Sequence, residues 1–103
     1  MDARYTARCV MRKQGRVRGE YEGVVTAQPF RGEIHGEVSG EFDGIFRGNG
    51  EIQTEVGNEV LDGQETHLRG QVEGVLEGEF EGEFRTEFVG ELNGEMDGEI
   101  QPF

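Results

Sequence analysis

The side chains with chemistry to offer are mostly carboxylates, and they recur at every fourth residue. Glu33, Glu37 and Glu41 form one run, and Glu79, Glu83, Glu87, Glu91, Glu95 and Glu99 form another. Upstream the same spacing is held by Arg4, Arg8, Arg12 and Arg16. Paired carboxylates do acid/base work only where their environments drive their pKa values apart. A periodic array gives each member the same surroundings, so no catalytic pair is expected. Glu without Asp-rich loop spacing is also a poor match to a calcium loop.

The other reactive side chains stand alone. Cys9, His35 and His67 have no Cys or His partner at metal-ligand spacing. Cys9 falls in an apolar column and reads as a core thiol, and a lone Cys excludes an intrachain disulfide framework. There is no Walker loop and no nucleophile triad, and the Gly-x-Gly-like stretches belong to the periodic pattern. The expectation is a protein that is not an enzyme and takes no cofactor or metal.

What positions these side chains is a repeat. From Gly50 to Gln101 the chain is thirteen consecutive blocks, commonly Gly-Glu-apolar-x, as in Gly78-Glu79-Phe80-Glu81. The third position is apolar in all of them except at Gln64. The same frame runs from Ala3 to Phe30, slips by one residue at Arg31, resumes from Gly32 to Arg47, and slips by two at Gly48-Asn49. A period of this kind is architectural.

Four is twice two, so on an extended chain Gly and the apolar residue share one side while Glu and the variable residue share the other. On a helix the eighteen Gly would scatter over every face, each costing about 1 kcal/mol against Ala. The chain is therefore expected to be all-β with one wet acidic face. It is a single repetitive domain over residues 1–103, with basic first blocks (3–18) and acidic repeats (19–101).

Both slips read as loops that keep one face apolar. A three-residue loop at Gly48, Asn49 and Gly50 would set Phe46 opposite Ile52, Phe42 opposite Val56 and Arg47 opposite Glu51. A four-residue loop from Gln28 to Arg31 would set Val25 opposite Ile34, and Asp62-Gly63-Gln64 is a third candidate turn. From Thr66 to Gln101 there is no slip, and 36 extended residues would span about 120 Å. The chain must bend within the repeat, at Gly. A tetrapeptide-repeat β-solenoid is the favoured architecture. The alternatives are a curved antiparallel meander or barrel, and a fibrous oligomer whose chains share one apolar axis.

Charge is segregated along the chain. Residues 1–19 carry six basic and one acidic side chain, and residues 20–103 carry four basic and twenty-one acidic, for a net charge of −12. Neighbouring Glu columns at ~4.8 Å strand spacing repel, by up to about 1 kcal/mol per pair. The Arg column has matching spacing and would offset that repulsion as a ladder of ion pairs. Within a chain it would close the fold; between chains it would give head-to-tail growth. The plainer reading is that these charges keep a β surface soluble and its edges guarded.

The apolar content of 33% makes a thin core, which favours oligomerisation. No run approaches the roughly 20 apolar residues of a membrane helix, and the N-terminus lacks the apolar region of a signal peptide. A cytoplasmic location, or one within an assembled particle, is expected, with no membrane partner.

The leading functional expectation is a non-catalytic structural protein that assembles with itself, as a homo-oligomer or filament, or is built into a larger particle such as a virion. Over Arg31 to Ser39 the Gly-x-apolar-x run resembles those of bactofilins, bacterial β-helical filament proteins, although the strict period of four departs from theirs. The second expectation is an acidic DNA mimic that blocks a DNA-binding protein. At an assumed ~16 residues per coil, residues 20–103 would carry about 0.7 charge per Å, near the ~0.6 of duplex DNA. This is similar in idea to the pentapeptide-repeat DNA mimics, whose five-residue motif is absent here. Direct binding of nucleic acid is disfavoured by the net charge.

Overall fold

The alternation of apolar and charged residues makes two very long strands in the computed structural model, which describes residues 10–103. β1 spans Met11–Thr54 and β2 spans Gly57–Pro102, antiparallel in one sheet. They are joined by a two-residue turn at Glu55-Val56. There the Thr54 hydroxyl accepts from the Val56 amide (3.3 Å) and donates to the Gly57 carbonyl (3.2 Å). Such a hydroxyl bond to nearby backbone is a local turn-former.

Most of the hairpin pairs twice. Val25 lies opposite Thr86 on one edge and opposite Ile100 on the other, fourteen residues apart in β2. The same offset recurs at Ile34 (Gly78 and Leu92) and Phe42 (Gly70 and Phe84). Both partners lie in one strand, so the two-stranded ribbon coils until its outer edges meet. A circuit takes about 46 Å of strand at ~3.3 Å per residue. Partners can be followed without a break across the coil through Gly57, Thr54, Val72, Gly40, Thr86, Val25, Ile100 and Met11.

Burial has the period of the sequence. Through residues 66–101 the third position of each block is buried, Gly is half-buried and the other two are exposed, with Thr86 the one buried residue in a Gly position. The core is a single column-like cluster whose largest members include Phe30, Phe46, Phe80 and Phe88. Phe84 sits against Phe30 (5.4 Å between ring centroids), Phe42 (5.4 Å) and Phe80 (5.8 Å). Such offset and tilted ring pairs add to what burial itself contributes.

The expected loops are not turns. Residues 28–31 and 48–50 run straight through β1, and 62–64 lies inside β2. Phe46 faces Thr66 and Phe80, not Ile52; Phe42 faces Gly70 and Phe84, not Val56. Likewise Arg47 faces Glu65 and Glu79, not Glu51, and Val25 faces Thr86 and Ile100, not Ile34. A slip can preserve the apolar face without reversing the chain. Between Ala27 and Phe30, β1 places Gln28 and Pro29 against Glu83 alone on one edge and against Asp97 alone on the other. The extra residue is a β-bulge, which switches the inward positions from odd (Val17, Val25) to even (Phe30, Ile34). The two-residue slip at Gly48-Asn49 changes no face, so no reversal is needed.

A second bulge lies in β2, where Gly63 and Gln64 together face Gly48. Gly63 has φ +77°, the left-handed conformation that a Gly-led bulge requires. The turn at Glu55-Val56 flips the inward phase and this bulge restores it. Between the two, Leu61 is buried, while the third-position residues Val56 and Val60 are 86% and 76% exposed.

Candidate functional site

The outward face carries the charge in stripes that cross the strands. One runs through Glu65, Arg47, Glu79, Glu33 and Asn93; another through His67, Ile45, Glu81, Arg31, Glu95 and Arg16. A third runs through Gln71, Glu41, Arg85, Thr26, Glu99 and Arg12. Arg12 thus stands opposite Glu99 and Arg16 opposite Glu95 within the chain, while Arg4 and Arg8 lie outside the described residues. Among the described residues neither Arg12 nor Arg16 has a carboxylate within 4 Å; the guanidinium contact is Arg47 to Glu65, at 2.8 Å.

The remaining Glu positions fall in mixed company. Glu37 lies between Val75 and Val89, Glu83 beside Asp43, Glu87 between Ser39 and Val24, and Glu91 between Glu20 and His35. His35 has carboxylate oxygens of Glu33 and Glu77 at 3.9 Å, and His67 has Asp43 at 3.6 Å. These side chains are between 43% and 69% exposed, so each pair contributes at most about 1 kcal/mol. Inside the coil Arg31, Arg47 and Arg85 are each set between two partners on their two edges, and of these Arg47 makes an ion pair within 4 Å. The sequence pattern sets Arg47 opposite Glu51 instead, and does not single out Arg31 or Arg85 as partners of carboxylates. Their signal was present in Arg47 and Arg85, which occupy the variable fourth position of their blocks.

Concave sites are shallow. One is an open groove of about 560 Å³ on the charged face, beside Arg31, Arg47, Glu79 and Glu81. Among the described residues no three His, Cys, Asp or Glu side chains converge as a metal site, and Cys9 lies outside them. No helix is long and apolar enough to cross a membrane.

The distinctive chemical feature of the coil is at its two ends. Among the described residues, 11–22 of β1 pair on one edge only, with 89–100, and 57–71 of β2 pair on one edge only, with 41–54. The run of partners from Gly57 across to Met11 puts these two edges at opposite ends of the coil. Each is a row of backbone donors and acceptors that another strand can use. Comparison with protein-family models, with curated proteins and with solved structures returned no match.

Proposed function

We propose that the chain is a non-catalytic structural protein, a two-start β-solenoid that assembles with further copies of itself through its ends. The observation that carries this reading is that, among the described residues, 11–22 and 57–71 pair on one edge only, at opposite ends of one coil. Two further features support it. The strand alternation continues at both ends, although at the β2 edge its phase is shifted up to the Gly63-Gln64 bulge, so a copy added there meets the same strand spacing. Apolar residues are also exposed at the ends: Val56 and Val60 at one, Val10 and Met11 at the other.

An acidic mimic of DNA receives less support, because Arg31, Arg47 and Arg85 interrupt the carboxylate stripes that such a surface would need to keep uniform. Sedimentation and negative-stain microscopy across a range of protein concentration test the assembly reading. Species that grow with concentration are expected at moderate salt. A chain that stays strictly monomeric at every concentration would overturn it.

A further inference from the structure

Resting on the assembly reading, we infer that the docking site for a second copy is the β1 edge at residues 11–22 and that its occupant is the partner's β2 edge at residues 57–71, in one register. The register follows from how the coil already pairs its outer edges. There apolar residues meet apolar residues (Ile34 with Leu92, Phe46 with Phe80) and Gly meets Gly (Gly36 with Gly90, Gly44 with Gly82). Applied to the free edges, that rule sets Val17 against Leu61, both buried from the inward side, and Gly15 against Gly63.

The outward residues then fall into place without further adjustment. Arg16 meets Asp62, Glu20 meets Asn58, and the apolar stem of Arg18 lies along exposed Val60. Past the Gly63-Gln64 bulge, Gln14 meets Glu65, Arg12 meets His67 and Met11 meets Leu68. Among the other registers that join Gly to Gly, one sets Gly19 against Gly63 and faces Glu20 with Asp62, one sets Gly19 against Gly70 and engages only 18–22 with 67–71, and one sets Val17 against Leu68 and Gly15 against Gly70. The last places Arg16 against Arg69 and Glu20 against Glu65, two like-charge pairs that directly opposed strands disfavour. Pairing β1 edge with β1 edge likewise stacks basic residues on each other. The joint uses different surfaces on the two copies and leaves one free edge at each end of the product, so it repeats head to tail, as a ring or an open filament, instead of closing as a two-fold dimer.

Cross-linking in the full chain tests the register. In a Cys9→Ser background, Arg16→Cys and Asp62→Cys proteins are oxidised separately and mixed, with Arg12→Cys plus Asp62→Cys as the mixture out of register. Directly opposed strand positions meet the Cα spacing of a disulfide. At least a tenfold excess of cross-linked dimer is expected in the Arg16/Asp62 mixture over the other samples. Arg16→Asp and Asp62→Arg should each raise the concentration needed for assembly at least tenfold, and the double exchange should restore it, with circular dichroism confirming the fold of each. Assembly without the Arg16/Asp62 cross-link, or with Arg16→Cys linking equally well to itself, overturns this joint and leaves the assembly reading standing. Absence of assembly in the unsubstituted chain overturns both.

Discussion

Gly36 lies opposite Gly90 where the outer edges of the coil meet, and neither position has room for a methyl group. A Cβ on Gly36 would overlap the carbonyl oxygen of Val89 and sit 2.8 Å from the Gly90 Cα. One on Gly90 would overlap the carbonyl of His35. The obstacles are backbone atoms on both sides, so no rotamer change relieves the overlap. The glycine column is thus a steric condition for the second pairing.

Gly36→Ala should therefore destabilise the fold by about 3 kcal/mol, the upper part of the overpacking range. Gly63→Ala meets no atom within 4 Å and is opposed only by its φ of +77°, so about 1 kcal/mol is expected there. Urea midpoints of the two variants check the order. Equal losses would mean that the close approach of Gly36 and Gly90 is not what limits the site.

Phe84 touches three other rings from both strands, and Phe84→Ala should cost about 4 kcal/mol. That is a large share of the 5–15 kcal/mol typical of a domain. Phe103 is 61% exposed, and Phe103→Ala should shift the urea midpoint little by comparison.

Thr86 occupies a Gly position and is buried, its hydroxyl accepting from the Ser39 amide at 2.8 Å and donating to the Glu87 carbonyl at 2.8 Å. Thr86→Val keeps the shape and removes both bonds. A loss of about 2 kcal/mol is expected from the stranded Ser39 amide. Hydrogen exchange at Ser39 that accelerates more than at distant amides, which report the global loss, would show that the bond rather than the volume matters.

With a net charge of −12 and its ion pairs exposed, the coil should gain stability as salt is added, because screening weakens the repulsion among carboxylates. The urea midpoint should rise between 20 and 300 mM NaCl, about a fourfold change in Debye length. Arg47→Gln should lower the midpoint at low salt and less so at high salt. A midpoint that falls with added salt would mean that attraction, not repulsion, dominates the outer face.

The period of four is legible because side chains alternate on a strand and nothing else in the chain competes with that rule. It correctly places Phe80, Phe84, Phe88, Leu92, Met96 and Ile100 inside. It fails at Val56 and Val60. The turn at Glu55-Val56 and the bulge at Gly63-Gln64 reverse the inward phase twice, and a repeat that reads the same before and after hides both. Leu61, outside the apolar frame, was the residue that betrayed them. The slip at Arg31 shows the opposite confusion: a one-residue insertion looks like a loop in sequence and is a bulge at Gln28-Pro29 in the sheet.

The sequence by itself determined that the chain is β, which residues of 66–101 face inward, and that glutamates line the other side, because these follow from the two-residue alternation of a strand. Which strand lies beside which was decided only by the tertiary structure. Every block offers nearly the same partner to every other, so local pattern cannot choose among registers. The choice is made by the offset of fourteen residues at which Gly36 can press against Gly90 while Ile34 packs on Leu92, and by the single reversal at Glu55-Val56. Among the described residues, the same offset leaves 11–22 and 57–71 paired on one edge only.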